Sequence, residues 1–254
     1  MRCMSPVKKV TSNKKIRAKD RRQKIFLAAI PLFAEYGIKA TTTKAIAQAA
    51  GVSEALLYQH FASKDELFSE LGVFICSKHD KILKKIKELR PSTSTLINII
   101  YFLVADIAQE EAPLQQFKKM VQHILLDSCM TDGKFARFFF NDRMKQLMPI
   151  IIKSMQAAAK TGDMLIPIGQ LTAAKNRIWF SHQLALAVTL MRKNNVIDYH
   201  NQKNLVSELA YFILRGLGLK TSAIKKYFHP KTLGLMTMSL MASTFNQEVD
   251  ALCE

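Results

Sequence analysis

Apolar residues recur at spacings of three and four along most of the 254-residue chain, and nowhere do apolar and polar positions alternate for long between turn residues. The pattern predicts helices near residues 21–36, 43–50, 53–60, 64–89, 93–109, 111–129, 133–161, 170–194 and 202–218, with further helical segments near 222–228 and 231–249. An all-α fold class is therefore expected. The breaks fall on plausible chemistry. Proline disfavours helical backbone at the residue before it, so Arg90-Pro91 stops the fourth helix. Thr131-Asp132-Gly133, Thr161-Gly162-Asp163, Pro167-Ile168-Gly169 and Lys193-Asn194-Asn195 are turn-rich clusters between apolar segments. Pro31 and Pro149 lie inside predicted helices, where each removes an N–H bond and should kink the helix or mark a boundary. No internal repeat or low-complexity tract is present.

Residues 41–61, TTTKAIAQAAGVSEALLYQHF, read as two short helices broken at Ala50-Gly51-Val52. Gly51 supplies the left-handed backbone that ends a helix, and Ser53 is a good N-cap for the next. Ile46, Ala50, Leu56, Leu57 and Phe61 are the expected packing residues. Ser63 and Glu66 stand in capping-box spacing at the start of the following helix. A helix-turn-helix of this kind presents a short helix to a DNA major groove about 12 Å wide.

Composition narrows the partner. A net charge of +17 suits a polyanion, either nucleic acid or an anionic membrane surface. Residues 1–30 carry ten cations against Asp20 alone, so more than half of the excess precedes the helix-turn-helix. Residues 1–20 are read as a basic flexible arm, either a DNA-tracking segment that adds affinity or a solubilising tail. Cys3, Cys76, Cys129 and Cys253 are too scattered for a zinc spacing or a disulfide scaffold, which points to a reducing, cytoplasmic location. The run Leu96–Ala105 is interrupted by Asn98 and followed by Asp106, and Gly234–Phe245 is only twelve residues, so neither spans a bilayer. The N-terminus has the charge of a signal peptide without its apolar stretch. No metal site, cofactor motif or catalytic constellation is recognised, and the chain is not expected to be an enzyme.

From about Arg22 to Leu71 the chain resembles the tetracycline-repressor (TetR) family of bacterial transcription regulators. The resemblance rests on Ala-X-X-Leu-Phe-X-X-Tyr-Gly at 29–37, Thr-Thr-Thr at 41–43, Ile46-Ala47, Ala50-Gly51-Val52-Ser53, Leu57-Tyr58-Gln59-His60-Phe61 and Ser63-Lys64-Asp65-Glu66-Leu67. It implies an N-terminal three-helix DNA-binding domain, here 21–67, joined by a long fourth helix to a C-terminal helical ligand-binding and dimerisation domain, here 68–254. Ser53, Glu54, Ala55, Tyr58, Gln59 and His60 match recognition-helix positions, Tyr58 and His60 toward phosphate and Gln59 toward a base edge. Thr43 either caps the second helix or meets phosphate, and the two are compatible. Lys64 matches a phosphate-contacting position. Glu54-Ala55 departs from the small or basic pair common in the family. Glu54 either favours the positive helix N-terminus or accepts from a cytosine amine.

The expected partners are double-stranded DNA with a pseudo-palindromic operator, a second copy of the chain, and a small apolar or amphipathic effector. The resemblance places the dimer interface on two late helices, about 170–194 and 202–218, paired across a two-fold axis. His123, Trp179 and His182 are candidate cavity-lining residues, with plain core as the competing reading. The reading is of a ligand-responsive homodimeric repressor with no membrane partner. The alternative is a basic helical module that associates with membranes or proteins and uses the helix-turn-helix only architecturally.

Overall fold

The computed structural model describes residues 8–77, 80–108, 114–165, 172–194, 196–200 and 204–242. These form twelve helices: α1 Lys8–Ala40, α2 Thr43–Ala49, α3 Glu54–His60, α4 Lys64–Ser77, α5 Asp80–Lys87, α6 Thr93–Ala108, α7 Leu114–Met130, α8 Lys134–Lys160, α9 Thr172–Lys193, α10 Leu205–Gly216, α11 Thr221–Tyr227 and α12 Pro230–Ala242. Among the described residues the only β pairing is an isolated bridge between Met164 and Leu219, so the fold is all-α.

Several boundaries differ from the periodicity. Helix α1 begins at Lys8, thirteen residues ahead of the expected start at 21, because the basic segment holds good helix formers and no glycine or proline. Its break comes at Gly37 (φ 72°, ψ 168°), and neither Pro31 in α1 nor Pro149 in α8 marks a boundary. The expected helix 64–89 is replaced by two helices, α4 and α5, with residues 78 and 79 outside the described residues. The last helix is described to Ala242, and the rest of the expected span 231–249 lies outside the described residues, as do Cys3, Cys253 and the turn cluster 167–169.

The chain divides into two compact units. The first comprises the described residues up to Ser77 with Gln116–Phe140, so it reaches ten residues beyond 67. Its core is laid down by α1, whose Ile25, Phe26, Ala29, Ile30 and Phe33 are buried on one stripe. The Phe26 ring lies 5.3 Å from Phe61 and 5.2 Å from Phe74, and Phe33 meets Phe68 edge-on at 5.1 Å. Arg22 pairs with Glu70 and stacks over the Phe61 ring at 4.6 Å, tying the start of this stripe to α3 and α4.

The second unit comprises the described residues of 78–115 and 141–247. Its centre is α6, buried on nearly every face and packed against α9, α10, α11 and α12. A helix apolar all round must be enclosed, and the run Leu96–Ala105 gives that enclosure its content. The one acidic residue in it, Asp106, pairs with Arg143 of α8, and both are buried.

Candidate nucleic-acid interface

Each piece of the helix-turn-helix is fixed by a local bond. Thr42 caps α2, its side chain accepting from the Ala45 N–H at 3.1 Å, so the capping role considered for Thr43 belongs to its neighbour. Thr41 is buried and donates to the Gly37 carbonyl (2.8 Å) and the Leu32 carbonyl (3.1 Å), closing the corner between α1 and α2. Gly51 sits at φ +66° as expected, and Ser53 caps α3 by accepting from Leu56 N–H at 3.1 Å. Ser63 accepts from Glu66 N–H at 3.1 Å, while Glu66 accepts from Ala62 N–H, one residue ahead of the expected capping-box partner. Ile46, Leu57 and Phe61 are buried, and Ala50 and Leu56 are half-buried.

What remains outward on α3 is Ala55, Tyr58 and Gln59, spaced i, i+3, i+4 and all exposed. Tyr58 is 48% exposed, too much for a large aromatic ring with only a packing role. Thr43, in the first turn of α2, joins this face. Its hydroxyl donates to Glu54 at 2.5 Å and lies 3.2 Å from the Tyr58 hydroxyl. Glu54 is thus held by α2 as well as standing in the first turn of α3. Sequence reasoning considered Glu54 and Thr43 separately and missed the bond between them.

His60 is half-buried on the other side of α3, and its Nε2 has no hydrogen-bond partner. Burial, followed by the nearby Arg22 and Arg21 charges, lowers its pKa. Lys64 donates to the carbonyls of Thr41 (2.9 Å) and Lys39 (3.2 Å), so its ammonium closes the α1–α2 corner in this structure. Ser53 is exposed, with its hydroxyl engaged in the cap.

The three candidate cavity residues are not brought together. His123 is exposed on α7 in the first unit, because its helix turns Val121, Ile124 and Leu125 inward instead. Trp179 is half-buried against the second unit's core, 6.5 Å centroid to centroid from His182, and does not line the cavity that His182 lines. That cavity is about 20 Å³, walled by Ile100, Leu103, Ile107, Met144 and Ile178 among others, which is room for a single water. Burial, then the Arg143 charge, lowers the His182 pKa to about 4, against a smaller opposing effect of Asp106. The Asp106–Arg143 pair was also missed; its signal was a carboxylate at the end of an apolar run, where burial demands a partner.

Among the described residues no His/Cys/Asp/Glu cluster could hold a metal, and no helix is long and apolar enough to cross a membrane. A helix-turn-helix capped at each helix start, with Ala55, Tyr58 and Gln59 exposed on its second helix, is an arrangement suited to a DNA major groove. Residues 25–71 match the family of bacterial regulatory proteins called the tetR family. The chain is 28% identical to the HTH-type transcriptional regulator HbdR of Aromatoleum sp. (strain CIB) over 71% of its own length and 75% of HbdR. It is 46% identical to the HTH-type transcriptional repressor KstR2 of Mycobacterium tuberculosis, over 20% of this chain and 26% of that one. The chain spans 54% of a third relative, the regulator AcrR of Shigella flexneri, at 28% identity over 47% of its own length. Two solved structures share its fold. FadR from Bacillus subtilis in complex with stearoyl-CoA aligns with TM-score 0.55 and 16% identity, covering 76% of this chain and 98% of that one. AibR in complex with isovaleryl coenzyme A and operator DNA aligns with TM-score 0.53 and 15% identity, covering 76% and 97%. The match to the tetR family thus lies on residues 25–71, the segment that carries the helix-turn-helix and its flanking helices.

Proposed function

We propose that the protein is a homodimeric, ligand-responsive repressor that places α3 of each copy in the major groove of a pseudo-palindromic operator. The exposed face Ala55, Tyr58 and Gln59, beside Thr43 at the N-terminal end of α2, carries this reading. In it Gln59 reads a base edge, Ala55 allows close approach, and Tyr58, Thr43 and Ser53 position phosphate. His60 and Lys64 support the reading face from beneath and from the α1–α2 corner, and Lys64 retains one spare N–H for a phosphate. Glu54, tethered by Thr43, stands in the first turn of α3, where its charge favours the positive helix N-terminus and takes no base contact. Residues 21–67, with α4 continuing to Ser77, form the DNA-reading domain, and the rest of the chain holds effector and dimer contacts. The basic residues ahead of α2 add affinity along the backbone.

The dimer reading is supported by large apolar side chains that the second unit leaves exposed among polar ones on α9 and α10. On α9, Asn176, Phe180, Gln183, Ala187 and Met191 are exposed at steps of three and four, and Phe180 is 64% exposed. On α10, Tyr211 and Phe212 are exposed, Phe212 to 64%, between Glu208 and Arg215. Leu209, within the span expected to pair, faces its own core instead. The repressor reading draws on KstR2, which is named a repressor, and the effector reading on FadR and AibR, each solved with an acyl-coenzyme A.

The experiment is a set of operator-binding titrations over a salt series. Tyr58→Ala should weaken binding to every sequence with little change in the salt dependence, since a neutral phenol displaces no counterion. Gln59→Ala should act mainly at one base pair, by about 1–3 kcal/mol. Unchanged operator affinity in Tyr58→Ala at physiological salt would mean α3 is not the reading helix.

A further inference from the structure

The 20 Å³ cavity beside His182 takes no ligand larger than water, whereas a groove of about 220 Å³ opens between α5, α6 and α12 in the same unit. Its walls are Ile86, Ile99, Phe102, Leu233 and Leu240, with Leu89 and Met236 exposed at its edge. Three polar side chains are set into this apolar lining: Asn98, Thr237 and Lys85. Asn98 is the residue that interrupts the apolar run of α6, and the groove is where the interruption faces. Thr237 is a buried polar group, 5% exposed, in an otherwise Met- and Leu-rich helix. A lining that is mostly apolar with a few convergent polar groups is the make-up of a small-molecule site.

From this we infer that the α5–α6–α12 groove binds a single-chain amphiphile with an anionic head, its tail along Phe102, Ile99 and Leu233 and its head toward Lys85. Charge selects the head. Of the α5 lysines only Lys85 lines the groove, and no acidic residue does. The apolar walls select the tail, and at about 220 Å³ the groove has the room that the 20 Å³ cavity lacks. Asn98 and Thr237, the other polar side chains of the lining, are the hydrogen-bonding partners the groove offers a head group besides the ammonium. Because α5 directly precedes the buried α6 and follows α4 in the chain, a ligand wedged here acts on the segment that leads from the DNA-reading helices. The regulatory half of this inference rests on the ligand-responsive reading above; the binding half does not.

Calorimetric titration of the full chain with hexanoate, octanoate and decanoate, and with octan-1-ol as the neutral match, tests the site. Affinity should rise about fourfold for each added methylene that enters the groove and level off once it is full. Lys85→Gln should weaken octanoate about fivefold and leave octanol unchanged, while Met236→Trp, which fills the groove's edge, should abolish both. Both side chains are exposed, so thermal unfolding of the variants should match the parent. Failure of octanoate to bind the parent at millimolar concentration overturns the inference, as does binding that survives Met236→Trp. Repeating the titration with saturating operator separates the two halves. Groove-dependent binding that operator leaves unchanged upholds the site and contradicts ligand-responsive release. Release of operator by a carboxylate that binds Met236→Trp equally well upholds release and moves the site elsewhere.

Discussion

Two glycines of the first unit share a positive φ but differ in surroundings, and Gly37 combines it with an extended ψ of 168°. At Gly51 (φ +66°) a β-carbon would meet nothing within 4 Å, whereas at Gly37 (φ +72°) it would lie 3.1 Å from the Asp127 carboxylate. Gly51→Ala should therefore cost only the backbone strain, about 1–2 kcal/mol, and Gly37→Ala more. Urea unfolding checks this, and equal losses would show that Asp127 yields freely. The Thr43–Glu54 bond gives a second expectation. Glu54→Gln keeps an acceptor for Thr43 while removing a negative charge from the face proposed to meet a polyanion. DNA affinity should rise about threefold at low salt and the gain should fade as salt increases, read by fluorescence anisotropy. A loss of affinity at every base pair would instead mean that the carboxylate makes an obligatory contact.

Helix ends and helix faces differ in how far the sequence declares them. Gly51, Ser53 and Ser63 announced their ends because a cap acts through one residue and its nearest backbone, and all three behave as expected. The start of α1 was hidden, since lysine-rich sequence is as compatible with a polar arm as with a helix. His123 was misplaced for a related reason: periodicity shows that α7 has an inner face but not which of two flanking positions lies on it. The buried Asp106–Arg143 pair and the groove beside Asn98 join residues far apart in sequence, which no local pattern reveals. His182 yields a pH expectation. Its pKa is lowered by folding, so stability is unaffected above the unfolded value near 6.5 and falls as pH drops from there toward 4, where the unfolded state alone gains the proton. Between pH 7 and 5 the loss should be on the order of 2 kcal/mol. His182→Asn should remove that part of the pH dependence, measured by denaturant midpoints at the two pH values, and an identical dependence in the variant would place its origin elsewhere.

For the molecule as a whole, cations are concentrated in the first thirty residues of the sequence, and large exposed apolar side chains stand on α9 and α10. Phe212→Glu and Phe180→Glu should each shift the protein to monomer in sedimentation, since a carboxylate cannot be desolvated without a partner. Leu209→Glu should unfold it, because Leu209 lies in the core of its own unit. Normal dimers from both phenylalanine variants would require another interface. Removing residues 2–19 should lower the salt slope of DNA binding by about one unit for each phosphate the segment had neutralised, without changing base preference. The central claim, that two copies present α3 to DNA as a symmetric pair, is tested most directly by selecting bound sequences from random duplex DNA. The account predicts an enriched pseudo-palindrome with half-sites about one helical turn apart, ~34–36 Å, or a near multiple, and one base position relaxed in the Gln59→Ala selection. Enrichment of an asymmetric site, or none above the input library, would contradict it.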